Sequence, residues 1–320
     1  MRRRNEIGGN VRNFSIAMVA VVLFMMATAA TQASQHVRSD PEPVIEIHDV
    51  ERFYELYDEM EGHPTADVLQ HRYIEAGSDG LRTLARLRNV TGQAIADAIA
   101  KKPDMYAKTR ECIEALPRAR TRLSRALQEL RNAYPEARFP PITIAIGKGK
   151  PVGVGGRDTG VQIGAEALCA NAWINPDSED RFVRVIAHEF AHVQQRVSFS
   201  ESENATVLSA SLEEGAAEFV SELTTGAVAY AYMSGLIAGR ENEIETAFVA
   251  DMDKTDLSQW LYNSTPERPG DLGYWVGYRI VKSYYQRADD KRQALRDIFE
   301  MTDPKAFLAR SGWRPGMALD

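Results

Sequence analysis

The stretch IAHEFAHVQQ, residues 186–195, decides how the rest of the chain is read. It holds His188 and His192, two of the chain's six histidines, with Glu189 next to the first. Residues four apart on an α-helix are turned by about 40° and separated by about 6 Å along the axis. Both imidazoles therefore leave one face and can share one ion, and tetrahedral zinc accepts two imidazoles at that spacing. Glu189 lies about 100° round from His188, beside such an ion rather than on it. A carboxylate there can take a proton from an activated water, which is the mechanical content of His-Glu-x-x-His. The competing reading is a core helix whose two histidines are satisfied by backbone groups. Phe182, Val185, Ile186, Phe190 and Val193 make this helix apolar on several sides. Two imidazoles and a carboxylate buried there need partners, and a metal supplies them.

A catalytic zinc site needs a third protein ligand and an open position. No histidine follows His192, and His48, His63 and His71 are scattered over polar helical stretches, where they read as surface residues. The third ligand is then expected to be a carboxylate. LEEGAAEF, residues 212–219, offers Glu213, Glu214 and Glu218. The bland reading of this segment is a solvated acidic face, because Glu214, Glu218 and Glu222 are spaced i, i+4, i+8. Like charges at that spacing repel slightly unless something cationic sits between them.

An acid before a glycine, with a second acid one turn on, resembles the way gluzincin metallopeptidases present their third ligand. That resemblance implies Glu214 as the ligand and Glu218 as the support of a ligand histidine, with Glu213 the rival for the ligand role. More of the chain is similar to bacterial predicted zinc-dependent proteases distantly akin to gliding-motility lipoprotein B. The matching pieces are FYELYDEM, YIEAGSDGL, FPPITIAIG, GVQIGAEAL, IAHEFAHVQQ, SLEEGAAEFVSELTTG, DLGYWVGYRIVKSYY and FLARSGW. The chain has no lipobox cysteine, so lipoprotein anchoring does not carry over. The resemblance implies a zincin-like fold, a Zn2+ cofactor and a peptide or protein substrate, with Glu189 as general base. An oxyanion donor is still needed. GYWVGYRIV offers Tyr274 and Tyr278, one turn apart, although both also read as part of a core-facing stripe. Gluzincins also hold peptide substrates against a sheet edge near the zinc helix, and residues 160–168 are the expected edge strand.

The remaining segments organise around this site. From 48 to about 135 the apolar spacing is helical, punctuated at Gly77, Gly80, Gly92, Pro103 and Pro117. ITIAIG and VQIGAEAL are short and β-branched, so a small sheet with an antiparallel hairpin is expected. The glycines over 147–156 do not form a phosphate loop, since no Gly-Lys-Ser/Thr follows and no helix starts there; a flexible hairpin loop is expected instead. After NPDSED, helices are expected over 178–196, 205–223, 226–239, 241–251, 271–287 and 290–300, the first capped by Asp177 or Ser178. The order of helices, strands and helices predicts an α+β fold, mostly helical. Its parts are a helical region over 44–138 and a catalytic region over 139–320.

The N-terminus reads as a leader. Arg2, Arg3, Arg4 and Arg12 precede an uninterrupted run of apolar and small residues over 14–30, and small residues follow up to Ala33. This is the pattern of a signal peptide over 1–33, followed by a polar linker over 34–43. The alternative is an uncleaved anchor in the inner membrane through residues 14–30. Either way the rest of the chain is expected to be exported, periplasmic or secreted, and to meet a membrane only through that segment. Cys112 and Cys169 can pair in an oxidising compartment or stand as two buried thiols. The chain is 44% hydrophobic and 26% charged, with net charge −7 and no basic run beyond the N-terminus. That composition is ordinary globular material and argues against nucleic acid as the main partner. Two further functions remain in view: a zinc hydrolase of another amide or ester, and a non-catalytic helical envelope scaffold with structural zinc or none.

Overall fold

Local capping chemistry sets most helix starts in the structure, a computed structural model that describes residues 44–319. The expected leader over 1–33 and linker over 34–43 lie outside the described residues. The described chain opens with β1 (Ile45–Glu46) and α1 (His48–Glu59). α2 (Ala66–Val68) then runs into a π-helical stretch over Leu69–Glu75. α3 (Asp79–Arg88), α4 (Gly92–Lys101), α5 (Pro103–Ile113) and α6 (Leu116–Ala133) follow. Ser78 and Thr91 cap α3 and α4 by accepting the N–H groups of Leu81 and Ala94. Prolines open α5 and α6, where a missing N–H costs nothing.

The sheet contains β1, β2 (Ile142–Ala145), β3 (Gly153–Gly156) and β4 (Gly160–Gly164) in the order β1-β2-β4-β3. β1 and β4 run parallel to β2, and β3 is antiparallel to β4. Two expectations are corrected here. Residues 160–168 are not an edge strand: β4 ends at Gly164, lies inside the sheet, and is followed by α7 (Ala165–Ala170). Val161, Gln162 and Ile163 are buried on both faces, as a central strand requires. The glycine segment is not a flexible hairpin loop either. Gly147 and Gly149 donate their N–H groups to the buried carboxylate of Glu166 at 2.8 and 2.9 Å, and Gly153–Gly156 form the edge strand.

The second half comprises α8 (Ser178–Gln194), α9 (Val207–Thr225), α10 (Met233–Ile237), α11 (Glu241–Asp251), α12 (Leu272–Arg287), α13 (Lys291–Phe299) and α14 (Pro304–Ser311). Asp177 caps α8 by accepting Asp180 N–H, and Thr206 forms a capping box with Ser209 at the start of α9. Two apolar clusters result. One joins the early helices, the sheet and most of α8 through Phe53, Tyr73, Leu81, Ile144, Ile163 and Phe190. The other joins α9 and α11–α14 through Leu212, Phe219, Phe248, Ile280 and Phe307. α8 borders both, with Phe190 in the first and Ala191 in the second. A Cys112–Cys169 disulfide ties α5 to α7.

Candidate metal centre

α9 and α12 are brought together by missing side chains. A Cβ on Gly215 of α9 would stand 2.1 Å from the backbone of Gly277 and Tyr278, and one on Gly277 of α12 would stand 1.7 Å from the Ser211 carbonyl oxygen. The two helices cross backbone to backbone at this point. The glycine after Glu214 is therefore a packing requirement of the contact with α12. β3 approaches α8 from the other side in the same way. A Cβ on Gly155 would lie 2.1 Å from the Glu189 carbonyl oxygen, and one on Gly153 would lie 2.4 Å from Glu189 Oε1.

His188 and His192 face each other with Nε2 atoms 3.0 Å apart. Glu214 Oε2 lies 3.2 Å from His188 Nε2 and 3.4 Å from His192 Nε2. These three residues form a group able to hold a metal ion. Donors set about 2.0–2.2 Å from a tetrahedral zinc stand roughly 3.3 Å from each other, so the spacing fits zinc, as does the donor set of two imidazoles and one carboxylate. The electrostatics agree. Burial opposes charge on His188, but Glu214 and Glu218 outweigh it and hold its pKa up at about 10. Burial opposes charge on His192 as well; Glu214 outweighs it and holds that pKa at about 9. Burial would raise the Glu214 carboxyl, yet His192 and His188 pull it well below the usual carboxylate range. The pocket is arranged to hold positive charge.

Each ligand candidate is itself held. His188 Nδ1 lies 2.8 Å from Glu218 Oε1, while Glu218 Oε2 accepts the N–H groups of Ala229 and Tyr230. His192 Nδ1 lies 2.7 Å from Gln195 Oε1, and Gln195 Nε2 donates to the Glu213 carbonyl. Such partners fix the ring orientation of metal-binding histidines. Glu213 turns away from the cluster, accepting Ser198 Oγ–H at 2.9 Å and Ser200 N–H at 2.6 Å. Glu189 is buried at the wall of the cleft. Desolvation raises its pKa, against the pull of His192 and His188.

The cluster floors a cleft of about 410 Å³. Pro151, Val152, Gly153, Val154 and Gly155 line one wall, and Arg88, Ser198, Ser200 and Glu201 line part of the rim. Tyr230, Tyr262 and Tyr274 complete it. Of the two tyrosines singled out in the sequence, the structure brings only Tyr274 to the cluster. Its ring stacks on His188 at 6.2 Å with an interplanar angle of 17°. Tyr278 donates to Glu222 at 2.9 Å and lines a separate pocket, because one helical turn carries it about 6 Å along the axis, past the crossing with α9. Sequence reasoning missed Gln195, Tyr230 and Tyr262. Gln195 was legible in principle, since a glutamine three residues past His192 at the helix end can fold back on it. Tyr262 sits in an irregular loop with no periodicity to mark it.

Residues 164–302 match a protein-family model described as Predicted Zn-dependent protease (DUF2268). The matched span contains His188, Glu189, His192, Glu214 and Glu218, and leaves out α1–α6 and strands β1–β3. No curated protein and no solved structure matches the chain.

Proposed function

We propose that the protein is an exported zinc metallopeptidase of gluzincin layout. His188, His192 and Glu214 hold the metal, Glu218 supports His188, and Glu189 acts as general base. The observation that carries this reading is the convergence of three donor atoms, 3.0–3.4 Å apart, on an open cleft beside Glu189. The match to predicted zinc-dependent proteases supports it independently. A structural zinc site is closed by a fourth protein ligand; the described residues offer three here, facing a cleft.

Zinc bound there would polarise a substrate carbonyl and lower the pKa of a water to about 7. The chain's own groups do the rest. Glu189, its pKa raised by burial, takes a proton from the attacking water at a carboxylate oxygen and passes it to the leaving nitrogen. Tyr274, with a phenol kept protonated by burial, faces the same cleft and serves as a neutral donor to the developing oxyanion.

The edge of β3 suits an extended backbone. Gly164 N–H bonds to the Val152 carbonyl, which sets the alternation of the β3–β4 ladder. Gly153 and Gly155 accordingly turn their peptide groups away from β4, toward the cleft side. A peptide can pair with that edge with little demand on its side chains. Export is supported by the leader-like N-terminus and by the Cys112–Cys169 disulfide, which persists in oxidising compartments.

The test is Glu189→Gln, which keeps the shape and removes the base. Cleavage of unfolded casein is expected to fall by about 10²–10⁴-fold with bound zinc retained. Unchanged cleavage by a zinc-loaded variant would remove Glu189 from the mechanism.

A further inference from the structure

Tyr262 is placed at backbone cost. Its φ is +58°, a left-handed conformation that an aromatic residue rarely adopts. About 55% of the residue's surface is exposed, yet its hydroxyl reaches into the cleft and donates to Glu214 Oε1 at 2.8 Å. The Ser200 hydroxyl lies beside the same phenol.

The neck of the loop that carries Tyr262 is locked. Asn263 N–H donates to Asp271 Oδ1 at 2.8 Å, and Asp271 N–H donates to Asn263 Oδ1 at 2.7 Å. Asp271 also has positive φ and stands at the start of α12. The reciprocal pair fixes Asn263, the residue next to Tyr262, against the start of α12, and so holds Tyr262 in its unfavoured conformation. Strain held in this way marks positions where the side chain has a task.

The geometry points to Tyr262 as a positioning residue for the third metal ligand, an inference that rests on the metal reading above. A buried carboxylate beside a cation can offer one oxygen or two. Here the phenol occupies Oε1, and Oε2 alone faces the two imidazoles. Tyr262 selects which oxygen of Glu214 is presented and holds the carboxylate plane. It does for Glu214 what Glu218 does for His188 and Gln195 for His192. All three ligands are then oriented by a partner from outside the cluster, and the Glu214 partner comes from the loop between α11 and α12.

The experiment is zinc affinity of the full chain, by competition with a chromophoric chelator, for wild type, Tyr262→Phe and Tyr278→Phe. Tyr262→Phe keeps the ring and removes the donor. Its zinc Kd is expected to rise by about 10–100-fold, the usual effect of removing a partner from a ligand. Tyr278→Phe loses a comparable bond to Glu222, outside the cluster, and is expected to bind zinc like wild type. The visible spectrum of the cobalt-loaded protein is expected to change in Tyr262→Phe and not in Tyr278→Phe, a readout that loop packing alone would not move. Zinc bound as tightly by Tyr262→Phe as by wild type overturns the inference and leaves the metal site standing. A wild type that takes up no zinc overturns both. Should Tyr262→Phe fail to fold, the Asn263→Ala, Asp271→Gly double variant carries the test: it keeps the phenol and removes both side-chain acceptors of the neck, and an unchanged Kd there overturns the inference.

Discussion

His188 and His192 receive opposite instructions from burial and from their neighbours, and the neighbours win. In the metal-free protein this links stability to pH. Both pKa values are raised from 6.5, so the contribution of the pair is complete below about pH 6.5 and is lost as pH rises through about 9 and 10. Glu214 is depressed from 4.5, so its contribution is present above that value and lost on acidification. Metal-free protein is therefore expected to be most stable between about pH 4.5 and 6.5 and to weaken steadily toward pH 10. Urea midpoints across that range check it. A His188→Gln, His192→Gln double variant with the same alkaline decline as wild type would contradict it. The ligand candidates were legible in the sequence because helix spacing alone puts His188 and His192 on one face. Their supports were legible only in part. Glu218 shares a helix with Glu214, whereas Tyr262 reaches the cluster from a loop that no periodicity describes.

Elements meet at this site through glycines, and the sequence disguised what those glycines do. A Gly-rich run reads as a loop by composition, but Gly153–Gly156 is a strand whose Gly153 and Gly155 leave room for α8 where a Cβ would collide with Glu189. Gly155→Ala is expected to destabilise the fold by about 1–3 kcal/mol, the usual cost of overpacking, because its Cβ meets backbone that cannot turn aside. Gly153→Ala meets the Glu189 carboxylate instead, which can move. It is expected to spare stability and zinc affinity while lowering kcat several-fold or more. Thermal melts, zinc titration and casein cleavage on the two variants separate these outcomes; equal effects on stability would contradict the assignment. Helix identity was easier to read than strand order. α11 spans the expected residues 241–251, and α8, α9, α12 and α13 fall within about two residues of expectation at most ends. The exceptions have local causes. Only Met233–Ile237 is helical within 226–239, and α14 lies in a short C-terminal segment where no long period develops. Strand order was not legible, since the edge strands β1 and β3 are a two-residue pair and a glycine-rich run, neither of which carries a strand pattern.

At the scale of the molecule, the helical stretch α1–α6 carried no chemical signal in the sequence. α1–α6 share a core with the sheet and α8. Arg88 at the end of α3 reaches the cleft rim and pairs with Glu201 at 3.7 Å. Both side chains are exposed, so the pair adds little stability; it marks where the early helices border the cleft. The Cys112–Cys169 disulfide, one of two readings the sequence left open, fastens this half to α7 beside the sheet. The molecule thus brings α8, α9 and β3 to one line, and the account stands or falls on whether that line holds a metal. Elemental analysis of the purified protein, wild type against Glu214→Ala, tests this most directly. About one zinc per chain is expected in wild type, lost or sharply weakened in the variant. A well-folded wild type that holds no zinc, even after incubation with excess metal, would contradict it.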